Sequence, residues 1–235
     1  MPTVSDAFDL ALAMMMRLDP ELLRIVGLSL RVSLTAVLIG SIVGLPFGAL
    51  LALTSFFGRH ACIVVLNACM GLPPVVVGLG VYLLLSRSGP LGPLGWLFTP
   101  AGMVLAQSIL ITPIIAALSR QIVADLWREY EEQLRSLGLT PLAAIPILLW
   151  DGRHSLSTAV LAGFGRAIAE VGAIIIVGGN IAGITRTMTT AISLETSRGD
   201  LALAMALGMI LLTLAILINA GANMLNNMAL KAQGG

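Results

Sequence analysis

Charge is what this sequence has least of. Only 11% of its 235 residues are Asp, Glu, Lys or Arg, against about 25% in an ordinary soluble domain. With 57% hydrophobic residues and a mean hydropathy of +0.98, a water-soluble globule is excluded and a polytopic helical membrane protein is expected. No run of short alternating strands is present, which argues against a membrane β-barrel. A net charge of +1 without a basic cluster gives no case for a nucleic-acid partner. Histidine and cysteine are scarce too, with two of each. His60 and His154 stand too isolated to form a metal site or a catalytic set and read as loop or headgroup residues. Cys62 and Cys69 lie about 10 Å apart along a helix, beyond disulfide reach, and read as small core residues. The motif GxxxxGK[ST] is missing, so the chain has no phosphate-binding loop of its own. A basic, signal-type N-terminus is lacking as well: Asp6 and Asp9 precede only a short apolar run, and Phe8, Leu12, Met15 and Met16 recur at helical spacing. Residues 1–25 therefore read as an interfacial amphipathic segment on the membrane lipid.

What is present is a series of apolar runs near the 20 residues a span needs. Five are expected, at about 31–53, 61–85, 101–118, 156–178 and 201–219, with Pro46 inside the first. An Asn-rich tail with Lys231 follows the last. The second run is interrupted by Gly71, Pro73, Pro74, Gly78 and Gly80, which fits either close packing by small residues or a pore-lining bend. Residues 86–100, rich in Gly and Pro and carrying Trp96, read as an interfacial connection. Lys and Arg are spread almost evenly between the two sides, so they set no orientation. Neither an inverted nor a parallel repeat is evident. The whole, 1–235, reads as one all-α polytopic membrane bundle.

Polar residues gather in three places. Within 119–155, Leu126, Trp127, Tyr130, Leu134 and Leu137 recur at helical spacing among charged residues, which predicts an amphipathic helix stopped at Gly138. Thr140-Pro141 then predicts the cap and first position of a second short helix. The pair would form a rigid knob outside the membrane. In the fourth run, Arg166 and Glu170 lie four apart, on one face if the helix is continuous. Arg166 would sit roughly 16 Å into the membrane, where an unpaired charge costs about 3 kcal/mol or more. The two either pair to lock helices together or line an anion route, with Glu170 keeping Arg166 from trapping its ligand. Gln107, Thr112 and Asn180 are further intramembrane or pathway candidates. The third polar stretch, 179–200, carries Arg186, Thr187, Thr189, Thr190, Glu195 and Arg198 and reads as a solvated loop with a short helix in TRTMTTAISLET.

The block from Glu132 through Leu137-Gly138 to Pro146 resembles the EAA loop of ABC importer permeases, with Gln133 and Leu134 where that loop has its two alanines and Ile145-Pro146 in place of Leu-Pro. The strings GFGRAIAEVGA, VGGNI, TRTMTTAI and ETSRGD are similar to those of oxyanion importer permeases, above all the tungstate branch. The resemblance is specific over the last half of the chain. It implies a type I importer fold in the inner (cytoplasmic) membrane, working as a homodimer by alternating access. It implies two cytoplasmic ABC ATPase subunits that hold ATP and magnesium, this chain binding no cofactor and catalysing nothing itself. Coupling would run through Glu132, Leu137, Gly138, Leu139, Thr140, Pro141 and Pro146, in a cytoplasmic loop at 119–155. The loop 179–200 would face outward, where Arg186, Thr187, Glu195 and Arg198 meet a substrate-binding protein. No substrate-sensing domain is expected after Lys231. Molybdate or sulfate are alternative cargoes. A secondary transporter or channel relaying through Arg166 and Glu170 is the alternative mechanism.

Overall fold

The computed structural model describes Leu12, Ala13, Met16 and residues 19–233, the side chains of 222–223 and 225–233 excepted. Phe8 and Met15, and with them most of the N-terminal interfacial segment, lie outside the described residues. Among the described residues there are nine α-helices and no strand. They are α1 (Pro20–Leu53), α2 (Arg59–Met70), α3 (Pro74–Leu85), α4 (Pro100–Ser136), α5 (Pro141–Asp151), α6 (Arg153–Ile168), α7 (Gly172–Gly178), α8 (Met188–Arg198) and α9 (Leu201–Gln233). Three of them, α1, α4 and the 201–221 part of α9, are long and apolar enough to cross a membrane, and the total reaches five when α2 with α3 and α6 with α7 each count as one broken span. The five expected runs are thus present, two of them as broken helices. Leu38, Ile42 and Val43 of α1 and Leu212, Ile216 and Leu217 of α9 are exposed, surface that hydrocarbon tolerates and water does not.

Several boundaries differ from the sequence reading. α1 begins at Pro20 rather than near Arg31, with Glu21 in its first turn. α4 runs unbroken for 37 residues from the third span through the charged block, so the amphipathic segment is the continuation of a span and not a separate short helix. Its polarity changes but its helix propensity does not, since Glu, Gln, Arg and Leu are all good helix formers. α9 continues as helix to Gln233, past the Asn-rich stretch expected to be a tail. The cysteines are free, Cys62 exposed and Cys69 half-buried, so neither belongs to the core. His154 sits in the first turn of α6 rather than in a loop, with its Nε2 buried and without a hydrogen bond.

The described residues pack as two compact units: those up to 35 with 73–107 and 168–219 form the first, and 36–72 and 108–167 with those from 220 on form the second. In the second, α1 crosses α4 on a stripe of glycines one helical turn apart. A side chain at Gly44 would come within 3.1 Å of the Thr112 carbonyl, and one at Gly48 within 2.8 Å of Ser119 Cβ and closer still to the Ala116 carbonyl. The Ser119 hydroxyl donates to the Leu45 carbonyl at 2.9 Å across this contact. GSIVGLPFG is a doubled GxxxG motif, a signal present in the sequence that the span count alone passes over. In the first unit Gly78 plays the same part: a side chain there would come within 2.8 Å of Ala173 Cα of α7. Gly80 faces open space and Gly71 only a carbonyl of its own helix end, so of the three glycines in this run Gly78 is the packing one.

Gly48→Ala should lower the melting midpoint of the detergent-solubilised protein, by an amount equivalent to about 1–3 kcal/mol of overpacking. Gly80→Ala, with nothing within 4 Å of the added carbon, should leave it unchanged or raise it. Thermal unfolding of the two variants side by side checks this.

Candidate functional site

Polar chemistry concentrates in two places, one in each unit. In the second unit the charged end of α4 turns into α5. Gly138 adopts φ +76°, its N–H donates to the Arg135 carbonyl at 2.9 Å, and the Leu139 N–H donates to Leu134 at 3.1 Å. That pairing is a Schellman turn, which requires a left-handed residue where Gly138 stands. Leu139 packs against the buried cluster to which Leu134 belongs, apolar burial of the kind that accompanies such turns. Thr140 then caps α5 by accepting the Ala143 N–H at 3.3 Å, with Pro141 at the first helical position. The stop at Gly138 and the start at Thr140 stand where the sequence placed them.

Buried Leu134, Ala144 and Leu148 join Val123 and Ala49 in one core, which holds the corner rigid. What the corner presents outward is apolar: Leu137 is 75% exposed and Trp150 73%, with Leu142 and Ile147 about half exposed. Arg153 lies 5.0 Å over the Trp150 ring. A cavity of about 600 Å³, lined in part by Tyr130, Leu137, Ile147 and Trp150, opens between the end of α4 and α5. Glu132 and Pro146 are exposed beside it. Glu129 and, less strongly, Asp151 push the Tyr130 phenol above its ordinary range. The surface pairs Glu131–Arg135 at 2.7 Å and Asp125–Arg128 at 3.2 Å run along the solvent face of α4 and are worth little to stability.

In the first unit the site starts at the break that follows α6. α6 ends at Ile168 and α7 starts at Gly172, so Arg166 ends one helix and Glu170 lies in the break. They do not lie on one continuous helix. Uniform hydropathy hid the break, for nothing in AIAEVGAIII is a helix stop in the way Gly138 is. Glu170 is only 2% exposed, and its Oε1 accepts the Ala173 N–H at 3.2 Å, supplying the first turn of α7 with an acceptor its backbone lacks. Its carbonyl accepts the Thr189 hydroxyl at 2.7 Å. At the other end of α7, Thr185 Oγ1 donates to the Gly178 carbonyl at 2.6 Å and accepts the Ile181 N–H at 2.9 Å. Met188, opening α8, donates its N–H to Ser29 Oγ at 2.7 Å.

The middle of the stretch 179–200, from Thr185 to Glu195, is therefore not a solvated loop. Thr185, Thr187, Thr189, Thr190 and Glu195 are buried, and the Thr187 and Thr190 side chains cap α8 reciprocally. Arg186 is nearly buried, 3.8 Å from Glu195 and 3.9 Å from Glu21. Glu195 also meets Arg198 at 3.3 Å. Of the four residues proposed to meet a binding protein, only Arg198 is well exposed. Asn180 holds φ +51° and donates to the Thr190 carbonyl at 3.3 Å, while its Oδ1 is buried without a hydrogen bond. Gln107 is almost wholly buried. Thr112 spends its hydroxyl on the Ser108 carbonyl at 2.6 Å and faces the glycine stripe of α1. Ser29 and the buried threonines were not singled out from the sequence as partners of a break, because the break they serve was not visible there.

No family model matches the chain. It is 37% identical over 220 residues, 94% of the chain and 96% of the relative, to the tungstate uptake system permease protein TupB of Peptoclostridium acidaminophilum. To a probable anion ABC transporter permease protein of Haloferax volcanii it is 40% identical over 204 residues, 85% of this chain and 88% of that one. A more distant match is the sulfate transport system permease protein CysW of Escherichia coli, 28% identical over 75% of this chain and 63% of the other.

Ser29→Ala strands the buried Met188 N–H and should cost about 1–3 kcal/mol. The expected result is a lower melting midpoint, whereas Thr35→Ala, which removes an exposed hydroxyl bonded to its own helix, should be close to neutral.

Proposed function

The chain belongs to the family of anion ABC transporter permeases, and from that premise we propose that it carries a tetrahedral oxyanion, tungstate first, inward across the inner membrane. It is a multi-pass membrane protein, and the apolar helices are the walls of the path. Energy enters from separate ATPase subunits, two per homodimer, which hold the ATP and magnesium for which this chain has no phosphate-binding loop. On this reading the corner from Glu132 to Pro146 lies in the cytoplasm and docks on the ATPase. The stretch 179–200 and the start of α1 then face outward, where a binding protein delivers the anion through contacts such as Arg198.

One observation carries the coupling: the α4–α5 corner is rigid inside and apolar outside. A Schellman turn, a capped helix and a shared core fix its shape, while Leu137, Leu142, Ile147 and Trp150 offer desolvatable surface at the end of a long helix that continues directly from a membrane span. A displacement applied at α5 is passed to α4 without a flexible joint between them. Tungstate is preferred over sulfate because the relative named for tungstate matches at 37% over nearly its full length, and the one named for sulfate at 28% over less.

The turn supplies a graded test. Space around Gly138 is open, so a substitution there acts through φ rather than through a clash. Gly138→Asn, tolerated in the left-handed region, should keep coupling, while Gly138→Val should lose most of it, since a branched side chain costs about 1–2 kcal/mol there. The readout is ATPase activity of the reconstituted complex with and without tungstate-loaded binding protein. Stimulation that survives Gly138→Val undiminished would contradict the coupling role.

A further inference from the structure

Beside the buried threonines, the first unit holds a second cavity of about 350 Å³, formed by the first turns of α1 and the loop before α8. Two guanidinium groups line it, Arg24 and Arg186. Arg186 is nearly buried and poor in hydrogen bonds. Its contacts to Glu21 and Glu195 are 3.9 and 3.8 Å, ion-pair distances too long for a hydrogen bond, and its buried Nε has no partner. A buried donor left so calls for an explanation. Arg24 is exposed and forms no ion pair with a described residue. Its Nη1 lies over the backbone of Gly183, 3.4 Å from where a side-chain carbon would begin, and Gly183 keeps that approach open with φ +73°.

We infer that this cavity is an entry site where a tetrahedral oxyanion is held between Arg24 and Arg186 before it crosses the membrane. The inference rests on the anion-permease reading and adds the residues that first receive the cargo. Planar guanidinium forks match the oxygens of such an anion. The volume, about twelve waters at about 30 Å³ each, admits the anion with part of its hydration shell. Glu21 lines the cavity, and both it and Glu195 lie within ion-pair distance of Arg186, Glu195 also meeting Arg198. These carboxylates offset part of the positive charge, which keeps binding weak enough for release, as a conduit requires.

The test is equilibrium dialysis of tungstate against the purified permease–ATPase complex without binding protein, with bound tungsten counted by mass spectrometry. The wild-type complex should bind tungstate saturably. Arg24→Gln, at an exposed position whose loss spares the fold, should weaken it about tenfold or more. Arg186→Lys, which keeps the charge but not the fork, should weaken it as well. Docking of the binding protein, measured separately, should be unchanged in Arg24→Gln. Unaltered tungstate binding in Arg24→Gln would overturn the inference. So would lost docking with intact anion binding, which would assign the arginines to a carboxylate on the binding protein. No tungstate binding by a wild-type complex that still transports tungstate with ATP and binding protein would overturn the entry site alone. Absence of any ATP-driven oxyanion transport would instead remove the functional reading beneath it.

Discussion

A backbone N–H or C=O in the hydrocarbon interior of a membrane has no water to turn to, and the first unit is built around that constraint. The chain breaks its helix at Ile168–Gly172 and again after Gly178, and every break exposes polar backbone. The groups that answer are side chains drawn from elsewhere in the sequence. Glu170 receives the Ala173 N–H, Thr189 reaches the Glu170 carbonyl, Thr185 bridges Gly178 and Ile181, and Ser29 receives Met188. Burial of so many hydroxyls makes sense only as the complement of a broken span. In a low-dielectric interior each of these bonds is costly to lose, so the arrangement fixes 179–200 against the start of α1. The arginine-lined cavity is a consequence of that fixing.

The second unit answers a different requirement. Where the first unit needs polar satisfaction, this one needs rigidity between a membrane helix and the exposed apolar corner at its end. It achieves close approach with Gly40, Gly44 and Gly48 against α4, and continuity by running α4 straight from apolar to charged sequence. The outward apolar residues of the α4–α5 corner are then the exception to an otherwise charged end, and exceptions of that kind mark contact surfaces.

The sequence made some of this legible because the signals were local. Five apolar runs gave the spans, Gly138 gave the turn, Thr140-Pro141 gave the start of α5, and TRTMTTAISLET gave α8. What escaped was set by tertiary contact. Hydropathy drops at the charged half of α4 although the helix does not stop, so one helix read as two elements. Conversely, hydropathy stays high through AIAEVGAIII although the helix does stop, so Arg166 and Glu170 read as helix neighbours. Thr185 and Thr189 read as solvated because their acceptors, carbonyls at the breaks, have no signature of their own, and Glu195 because its arginine partners are set by the fold. The glycine stripe of α1 was in plain view as a spacing, and counting spans did not weigh it.

The claim on which the rest stands is that the breaks are closed by these side chains rather than left open to solvent. Amide hydrogen exchange of the detergent-solubilised complex, followed by peptide mass spectrometry, tests it directly. The account predicts that peptides covering 168–190 exchange slowly, on the scale of the α4 interior and far more slowly than the connection at 86–99. Exchange over 168–190 as fast as in that connection would contradict it.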